Sequence, residues 1–396
     1  MKRRALLVVL TLAACAAPPP TLQVREIPSP AGSGSAEPEL TAGAGGQTIL
    51  SWIEPRGEGA HTLRYAVWQD DGWSNPFTLP FTSASLLVNW ADFPSVTALD
   101  HQALLAHWPT TLPDAPGASA VLLSRSIHDG EGWSDAATPH DASPTEHGFV
   151  STVPLPDGRA AVVWLDGRET GGHEGEGRMT LRSAVLGTDG RVLREDLVDD
   201  RVCDCCQTSA VALQGGGLLV VYRDRSQDEI RDISVATFDG TRWSGPRPVH
   251  LDGWEIPGCP VNGPSIAALG DKVAVAWFTG AGGKGHVRVA RSHDGGRSFD
   301  GPTEVDLGDP LGRVDVVLLD DGTPLVSWVE VQDGAARILV RRAPGDDVPG
   351  PPLTVATTSK DRPSGFPRMV RTGTDALLAW SDTSWKRVRT AAIRLP

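Results

Sequence analysis

One short phrase recurs along the chain at a nearly fixed interval. It is a mostly apolar run that ends in an aromatic residue, and an acidic residue often follows. The aromatic residues of its seven copies are Trp52, Trp108, Trp164, Tyr222, Trp277, Trp328 and Trp380. Successive copies lie 56, 56, 58, 55, 51 and 52 residues apart. A period of this size indicates a repeat architecture in which each copy belongs to one structural unit.

Each copy of the phrase has the same surroundings. A strand-like run and a turn precede it, as in residues 318–322, where an Asp-Gly pair suits a tight turn between antiparallel strands. An alternating strand follows, as in residues 286–291, and then a fourth strand headed by an aromatic residue and a turn, as in residues 243–246. Four short antiparallel strands repeated radially are typical of a propeller blade. We therefore expect an all-β chain forming a single β-propeller of about seven four-stranded blades, with few helices.

The two ends of the chain complete each other in this scheme. The last unit, residues 366–395, supplies only about three strands, and residues 22–27 are strand-like and precede the first full unit. We expect the N-terminal strand to join the last blade and close the ring, which removes exposed sheet edges. A six-bladed ring is the alternative if one weak unit is an insertion.

The N-terminus has the pattern of an exported protein. Lys2, Arg3 and Arg4 precede a short apolar run, residues 5–12, which is too short to span a bilayer stably. Residues 1–14 are therefore predicted to be a signal peptide. Residues 12–15, Leu-Ala-Ala-Cys, resemble the bacterial lipobox, and this resemblance implies lipidation of Cys15. An ordinary signal peptide followed by an incidental cysteine is the alternative.

A segment rich in Pro, Gly, Ser and Ala follows the predicted lipidation site. We expect residues 15–38 to form a tether, with residues 22–27 as the closing strand, and residues 39–396 to form the propeller domain. The chain would then be a lipid-anchored protein of the bacterial cell envelope, facing the periplasm or the outer membrane. That compartment is oxidising.

Charge and size exclude some classes of partner. The formal net charge of −13 repels phosphate backbones, so we expect no nucleic-acid binding. A chain of 396 residues can bury a large core and act as a monomer, without disulfides or a metal for bulk stability.

One turn carries a recognisable motif. Residues 292–299 match the pattern S-x-D-x-G-x-x-[WF] through Ser292, Asp294, Gly296 and Phe299, and degenerate copies occur at 70–73, 128–133 and 239–243. The chain thereby resembles the sialidase-like (BNR or Asp-box repeat) β-propeller family. In that family the motif is a turn between the third and fourth strands, distant from the active site, so the resemblance implies fold more than activity. Residues 202–206 and 258–264 are also similar to uncharacterised bacterial sialidase-like lipoproteins, a resemblance that covers about residues 150–330.

The catalytic set that this resemblance would imply is incomplete. Sialidases hold the substrate carboxylate with three arginines and use a Tyr nucleophile assisted by a Glu, with an Asp as acid/base. The nearest phrase to the family's Arg-Ile-Pro is interrupted, at residues 25–28; Tyr65 lies within a predicted third strand, and Tyr222 replaces a repeated Trp. The weak catalytic candidates are Arg201, Arg313, Arg362, Asp166, Asp224 and Asp315.

Polar residues gather in the loops expected at one end of the propeller. These loops join each blade to the next or join second to third strands, and they share a face. The ligand-binding candidates are His147, Arg168, Arg223, Asn262 and Arg313. Polar groups that converge on a channel suit a pocket, whereas the plain alternative is a solvated rim of loops.

Four cysteines form the sharpest local signal. Cys203, Cys205 and Cys206 precede the fourth blade and Cys259 precedes the fifth, so we expect them to meet at that junction. Two disulfides would join one of the three to Cys259 and leave a vicinal or C-x-C bridge, which closes a small strained ring. The alternatives are a soft-metal site for Cu(I) or Zn, with His147 as an extra ligand, and a redox-active thiol. Arg201, Asp204 and His147 are expected in the same neighbourhood.

These observations predict an envelope lipoprotein with a sialidase-like propeller that binds a glycan, peptide or metal at its loop face without catalysis. No cofactor is expected beyond a soft metal at the cysteines. The first alternative is a divergent exo-α-sialidase-like glycoside hydrolase. The second is a cysteine-centred metal or redox protein of the envelope.

Overall fold

The structure, a computed structural model, describes residues 22–83, 85–171, 177–345 and 349–395. They form seven antiparallel sheets, and the innermost strand of each sheet contacts the innermost strands of its two neighbours, so that the sheets close into a ring. The predicted all-β propeller of seven blades is confirmed. The six-bladed alternative is wrong, because each of the seven aromatic phrases lies in a sheet of its own.

The first three blades follow a strand that belongs to the last one. The chain begins with β1 (Gln23–Ile27). Blade 1 contains β2 (Ala36–Ala42), β3 (Thr48–Pro55) and β4 (His61–Gln69), with β5 (Gly72–Trp73) and β6 (Phe77–Ser83) both paired to β4. Blade 2 contains β7 (Ser95–Ala98), β8 (Leu104–Thr111) and β9 (Ser119–Ser126), with isolated bridges from β9 to Trp133 and Ala137 where a fourth strand is expected. Blade 3 contains β10 (His147–Pro154), β11 (Ala160–Asp166), β12 (Thr180–Leu186) and β13 (Val192–Asp199).

The remaining blades repeat the same order from the channel outwards. Blade 4 contains β14 (Ser209–Ala212), β15 (Leu218–Arg223), β16 (Ile233–Phe238) and β17 (Arg247–Pro248). Blade 5 contains β18 (Ser265–Leu269), β19 (Lys272–Thr279), β20 (His286–Ser292) and β21 (Thr303–Glu304). Blade 6 contains β22 (Pro310–Leu318), β23 (Pro324–Gln332), β24 (Ala335–Arg342) and β25 (Leu353–Thr358). Blade 7 contains β26 (Arg368–Thr372), β27 (Asp375–Asp382) and β28 (Arg387–Arg394).

Helical structure is confined to three short 3₁₀ turns within the described part of the chain. They are Pro156–Gly158, Ala281–Gly283 and Arg362–Ser364. Among the described residues, no helix has the length and apolar character that a membrane crossing requires.

The ring closes through its two chain ends, as the sequence predicted. Strand β1 pairs antiparallel with β28, from Gln23 opposite Arg394 to Ile27 opposite Thr390, and so becomes the outer strand of blade 7. Ile27 is buried among residues of blades 1 and 7. The closing blade therefore depends on residues more than 360 positions apart in the sequence.

The stretch expected to be a tether partly belongs to the folded ring. Ala31 is 2% exposed, its carbonyl accepts a 2.8 Å hydrogen bond from Arg387, and Ser35 Oγ accepts the backbone N–H of Val388 at 2.9 Å. The tether prediction is therefore wrong for residues 29–38, because blade 7 supplies partners for this backbone. The predicted signal peptide and Cys15 lie outside the described residues.

The repeated aromatic residues occupy the second strand of every blade. All seven are at most 3% exposed. The acid that follows the phrase has a structural role: Glu54 and Asp166 each accept the indole N–H of the tryptophan two residues earlier, at 2.8 Å. An indole N–H that is buried without an acceptor would be costly, so the aromatic residue and the acid recur together.

The motif at residues 292–299 forms the turn between β20 and β21. Asp294 accepts hydrogen bonds from the Ser298 backbone N–H at 2.9 Å and from the hydroxyls of Ser292 and Ser298 at 2.7 Å. Gly296 has φ +81°, and a side chain there would collide with Leu219 of blade 4. The motif thus fixes a tight turn and its packing on the neighbouring blade.

Candidate functional site

The innermost strands surround a central channel. Strands β2, β7, β10, β14, β18, β22 and β26 line a cavity of about 680 Å³. Inner strands of a propeller run along its axis, so alternate side chains point into the channel. This cavity is the concave feature in which side chains from all seven blades converge.

The loop-bearing end of the channel is covered. Trp90 stacks on Phe366 with ring centroids 5.7 Å apart, and Phe93 meets the edge of Phe366 at the same separation. Gln207 joins two loops over the axis: its Nε2 donates to the Ala91 carbonyl at 2.7 Å, and its Oε1 accepts the Gly263 N–H at 2.9 Å.

The opposite end of the channel is open to solvent. Ala42, Ala212 and Leu269 line the cavity at the last residues of their inner strands, where first strands turn into second strands, and all three are exposed. The channel is therefore accessible from the face with these short turns, whereas the loop face, where the sequence favoured a pocket, is packed.

A charged cluster lies at the covered end of the channel. The Nε of Arg368 is 2.9 Å from the Glu39 carboxylate and 3.8 Å from Oδ2 of Asp315. Burial raises the pKa of Glu39 to about 7, although Arg368 opposes that change. Asp315 accepts three further hydrogen bonds, from the Ser265 hydroxyl at 2.6 Å and from two backbone N–H groups, so its carboxylate is fixed in place.

Two further titratable groups line the same end. Asp92 accepts the Phe149 N–H at 2.9 Å, and burial raises its pKa to about 7. A side chain at Gly148 would collide with the Asp92 carboxylate, so glycine permits this approach. His107 is neutral: its Nε2 donates to the Phe93 carbonyl at 3.0 Å, and burial lowers its pKa to about 4.

Two of the predicted ligand-binding arginines instead join neighbouring blades. Arg223 is 2% exposed and donates to the carbonyls of Asn262, Arg231 and Phe278 at 2.6–3.0 Å. Arg313 donates to the carbonyls of Lys360 and Asp361 at 3.1 and 3.3 Å, and burial lowers its pKa to about 10.

Asn262 also has a structural role. Its Oδ1 accepts the Arg313 N–H at 2.8 Å, and its Nδ2 donates to the Leu311 carbonyl at 3.3 Å. The polar groups of Asn262, Arg223 and Arg313 therefore bind the protein itself.

His147, Asp166 and Arg168 form a second internal group, in blade 3. Arg168 donates to both oxygens of Asp166 at 2.7 and 2.8 Å, and hydrogen bonding to Asp166 raises the pKa of the guanidinium. His147 is fully buried, lies 3.6 Å from Asp166 and stacks on His140. Both ring nitrogens of His140 are hydrogen-bonded, to the Val121 N–H and the Asp141 carbonyl, so this pair of histidines suits packing better than a metal.

The other catalytic candidates are dispersed. Arg362 is exposed over the ring of Trp90, Arg201 is half-buried beside Asp199, and Asp224 accepts the Ser234 hydroxyl at 2.9 Å, with a pKa raised by burial. Of the six candidates, Asp315 lines the channel. The chain's two tyrosines, Tyr65 and Tyr222, are buried within blades 1 and 4.

Sequence reasoning missed the residues that converge on the channel. Glu39 lies in blade 1 and Arg368 in blade 7, whereas Asp92 and His107 both belong to blade 2. His107 directly precedes Trp108 of the repeated phrase, and the other three belong to no spaced motif. The available signal was positional, because Glu39 and Arg368 lie near the start of predicted inner strands.

The four cysteines meet between blades 4 and 5. Cys205 and Cys259 form a disulfide with Cα atoms 6.1 Å apart, and Cys203 Sγ lies 3.5 Å from Cys206 Sγ and 3.9 Å from Cys205 Sγ. The remaining thiols, Cys203 and Cys206, are therefore spaced C-x-x-C, whereas a vicinal or C-x-C pair was expected from the sequence. Asp204 lies beside Arg231, which contacts Cys203, whereas His147 packs on His140 in a separate group.

The two free thiols differ in proton affinity. The hydrogen bond with Cys206, together with the guanidiniums of Arg231 and Arg223, lowers the pKa of Cys203 to about 6. Burial raises the pKa of Cys206 above its usual range.

Comparisons with known proteins agree on the fold. No protein-family model and no curated protein sequence matches this chain. An ulvan lyase of a polysaccharide lyase family, PL25, is similar at 13% identity and a TM-score of 0.55, over 92% of this chain and 95% of its own. A protein of unknown function from Dyadobacter fermentans DSM 18053 is similar at 13% identity and a TM-score of 0.51, over 94% and 99%.

A sialidase is also among the similar structures. The Hadza microbial sialidase Hz136 is 16% identical with a TM-score of 0.46, and the matched region covers 74% of this chain and 63% of the sialidase chain. At these identities the likeness concerns the propeller fold, which the sialidase-like motif had predicted.

Proposed function

We propose that this protein is an envelope-anchored propeller that binds a neutral oligosaccharide in its central channel, through the face with the short turns. The observation that carries the proposal is the cavity of about 680 Å³ with Arg368, Glu39 and Asp315 at its covered end. A ligand pocket of this size holds a few sugar rings, and a few convergent polar groups fix their orientation.

The lining of the channel supports a polyhydroxylated ligand. Hydroxyl side chains from five inner strands line the cavity; they are Thr41, Ser95, Thr97, Ser151, Thr152, Ser209 and Ser265. The Glu39 and Asp315 carboxyls contact Arg368 at its Nε. In the proposed complex, the Nη donors of Arg368 bind the ligand. Sugar hydroxyls both donate and accept, so they match this mixture of groups.

The charges favour a neutral ligand over an acidic one. Arg368 is flanked by two carboxyls, and the whole chain carries a net charge of −13. A sialic acid carboxylate needs several unpaired arginines, whereas Arg223 and Arg313 are engaged by backbone carbonyls. The proposed oligosaccharide binding therefore does not require the arginine cluster with which sialidases hold sialic acid. The ulvan lyase of the same fold is named for acting on a polysaccharide.

The proposal includes attachment to the membrane. Its support is the basic start of the chain, the short apolar run and the Leu-Ala-Ala-Cys sequence that ends at Cys15. Replacing Cys15 by Ser should move the protein from the membrane fraction to the soluble fraction and abolish labelling by an alkyne-tagged fatty acid. An unchanged distribution would contradict anchoring through Cys15.

A glycoside hydrolase is the second candidate. The observation that favours it is the pair Glu39 and Asp315 on one arginine, with the pKa of Glu39 raised to about 7. A protonated Glu39 would serve as the acid and Asp315 as the partner carboxylate. Release of reducing ends that is lost in Glu39→Gln would favour this candidate over simple binding.

The test is a binding measurement with defined probes. A set of neutral and uronate-containing oligosaccharides is titrated by calorimetry against the wild type, Arg368→Met and the control Arg337→Met, whose side chain contacts Asp333 on the surface of blade 6. We expect a neutral oligosaccharide to bind, and Arg368→Met to weaken it at least about tenfold, the loss of a charge-assisted hydrogen bond. Equal affinity for the two variants, or binding of acidic probes alone, would contradict the proposal.

A further inference from the structure

The cysteines between blades 4 and 5 are arranged in two layers. Cys259 is exposed and Cys205 is half-buried, and these two form the disulfide. Cys203 and Cys206 lie beneath them, at 1% and 2% exposure, as free thiols. A solvent-accessible disulfide therefore covers a buried dithiol.

The sulfur atoms of the two layers are close enough to exchange partners. The Sγ atoms of Cys203, Cys205 and Cys206 all lie within 4.8 Å of one another. Cys203 is central, at 3.5 Å from Cys206 and 3.9 Å from Cys205. Thiol–disulfide exchange requires a thiolate in reach of one sulfur of a disulfide, and Cys203 has that position toward Cys205.

The surrounding charges favour a thiolate on Cys203. Arg231 Nη1 lies 3.2 Å from Cys203 Sγ, and the Arg231 side chain is 5% exposed. Arg223 is a second nearby cation, and Cys206 contributes a hydrogen bond. Asp204 and Glu229 carry the opposing negative charge, and both approach Arg231, at 3.5 and 2.8 Å. A cysteine beside guanidinium groups is the activated partner in exchange reactions.

We propose that the four cysteines form an internal dithiol–disulfide relay, in which the buried pair Cys203/Cys206 exchanges two electrons with the exposed pair Cys205/Cys259. This proposal is independent of the oligosaccharide site, which lies in the channel.

The relay takes place in two balanced steps. In the first, the Cys203 thiolate attacks Cys205 Sγ; a Cys203–Cys205 bond forms, the Cys205–Cys259 bond breaks, and Cys259 leaves as a thiolate that takes a proton from solvent. In the second, Cys206 attacks Cys203 Sγ; a Cys203–Cys206 bond forms, the Cys203–Cys205 bond breaks with its electron pair on Cys205, and the leaving Cys205 thiolate takes the proton that Cys206 gives up. The buried dithiol is oxidised, the exposed disulfide is reduced, and no external oxidant is consumed.

The arrangement favours this relay over a soft-metal site. A metal bound by Cys203, Cys205 and Cys206 needs three thiolates, whereas Cys205 is bonded to Cys259. Arg231 also lies at the Cys203 sulfur, where a cationic metal would have to approach. A retained metal is therefore an outcome that contradicts the relay.

The test uses the full chain holding one disulfide per molecule. The protein is equilibrated with a dithiol buffer until its mass indicates one disulfide, desalted, and treated with iodoacetamide for increasing times. It is then digested with trypsin without reduction. We expect the peptide that contains Cys259 to be alkylated and no longer linked to the peptide 202–223. The peptide 202–223 should then contain an internal Cys203–Cys206 bond. Alkylation restricted to Cys203 and Cys206, with the link to Cys259 intact, would overturn the proposal.

Two cysteine variants test whether the exchange occurs and at which step it stops. Cys206→Ser should stop after the first step, so that Cys259 is alkylated and a Cys203–Cys205 bond remains. Cys203→Ser should leave Cys259 linked to Cys205. Identical products from these two variants would overturn the proposal, as would a soft metal that survives desalting and blocks alkylation until it is chelated. Each variant is first checked by circular dichroism, and only folded variants are compared.

The dependence on pH gives a second readout. In the wild type, the rate of the first exchange step should rise with pH and level off above about pH 6, because Cys203 ionises over this range. Arg231→Met should slow exchange at pH 6.5 by at least about tenfold, because the thiolate fraction falls. The matched control is Arg242→Met, whose side chain is exposed on blade 4 and should leave the rate unchanged. Equal rates for these two arginine variants would show that the guanidinium near Cys203 does not activate it.

Discussion

The indole N–H of Trp328 donates a 2.6 Å hydrogen bond to Oε2 of Glu330, two residues along the same strand. The Glu330 carboxylate is 1% exposed, and it also accepts the backbone N–H groups of Leu307 and Asp309 at 3.0 Å. One buried carboxylate thus connects the repeated aromatic residue of blade 6 to the loop that leads into that blade.

Replacing Glu330 by Ala should lower the free energy of unfolding by about 3 kcal/mol, because the buried indole N–H of Trp328 and two backbone N–H groups lose a charged acceptor. Denaturation in guanidinium chloride measures the change. Glu131→Ala, at an exposed position in blade 2, is the control and should change stability little. Equal stability of the two variants would mean that water replaces the carboxylate at no cost.

The free energy of unfolding should fall as the pH rises, because the buried Asp92 loses its proton. Burial raises its pKa from about 3.8 in the unfolded chain to about 7 in the fold. The folded protein therefore binds this proton more tightly, and the stability it contributes is complete below pH 3.8 and is lost progressively up to about pH 7. Each tenfold difference in proton affinity corresponds to about 1.4 kcal/mol. In urea unfolding between pH 4.5 and 7.5, Asp92→Asn should flatten the profile, and a parallel profile would contradict this assignment.

Removal of the closing strand should open the ring. A chain that begins at residue 28 lacks β1, so the edge of β28 is exposed and Ile27 no longer packs between blades 1 and 7. We expect a lower melting temperature by calorimetry and self-association by light scattering. A chain that begins at residue 22 keeps β1 and is the control. A monomeric and equally stable product of the longer truncation would contradict a structural role for β1.

Arg223 should not tolerate replacement by lysine. Its guanidinium donates to three carbonyls in blades 4 and 5, and its Cζ atom lies 4.8 Å from the ring centroid of Trp254. A lysine ammonium cannot reproduce this fork of donors. We expect a loss of about 2–4 kcal/mol in the free energy of unfolding, since buried carbonyls lose their donors. Arg242→Lys, with a side chain 85% exposed, is the control in the same blade. A small loss in both would show that water satisfies the carbonyls.

The sequence itself determined the architecture, because the same local pattern recurs in each blade. The aromatic phrase, the Asp-Gly turns and the alternating strands are local patterns, and seven copies of them specify the number of blades. The unpaired strand at one end and the incomplete unit at the other specified the closure through β1 and β28. The junction of the four cysteines was predictable for the same reason, since the repeat register places their loops side by side.

Only the tertiary structure decided what the polar side chains do. Arg223 and Arg313 have the appearance of ligand-binding residues in the sequence, yet their donors are taken by carbonyls of neighbouring blades. Glu39 and Arg368 lie 329 positions apart, and they meet because the ring brings the first and last inner strands together. Hydrogen bonding and burial depend on neighbours from other blades, which local sequence does not encode. The covered loop face, the channel open at the turn face and the separation of the cysteines into two layers therefore emerge only when the ring is closed.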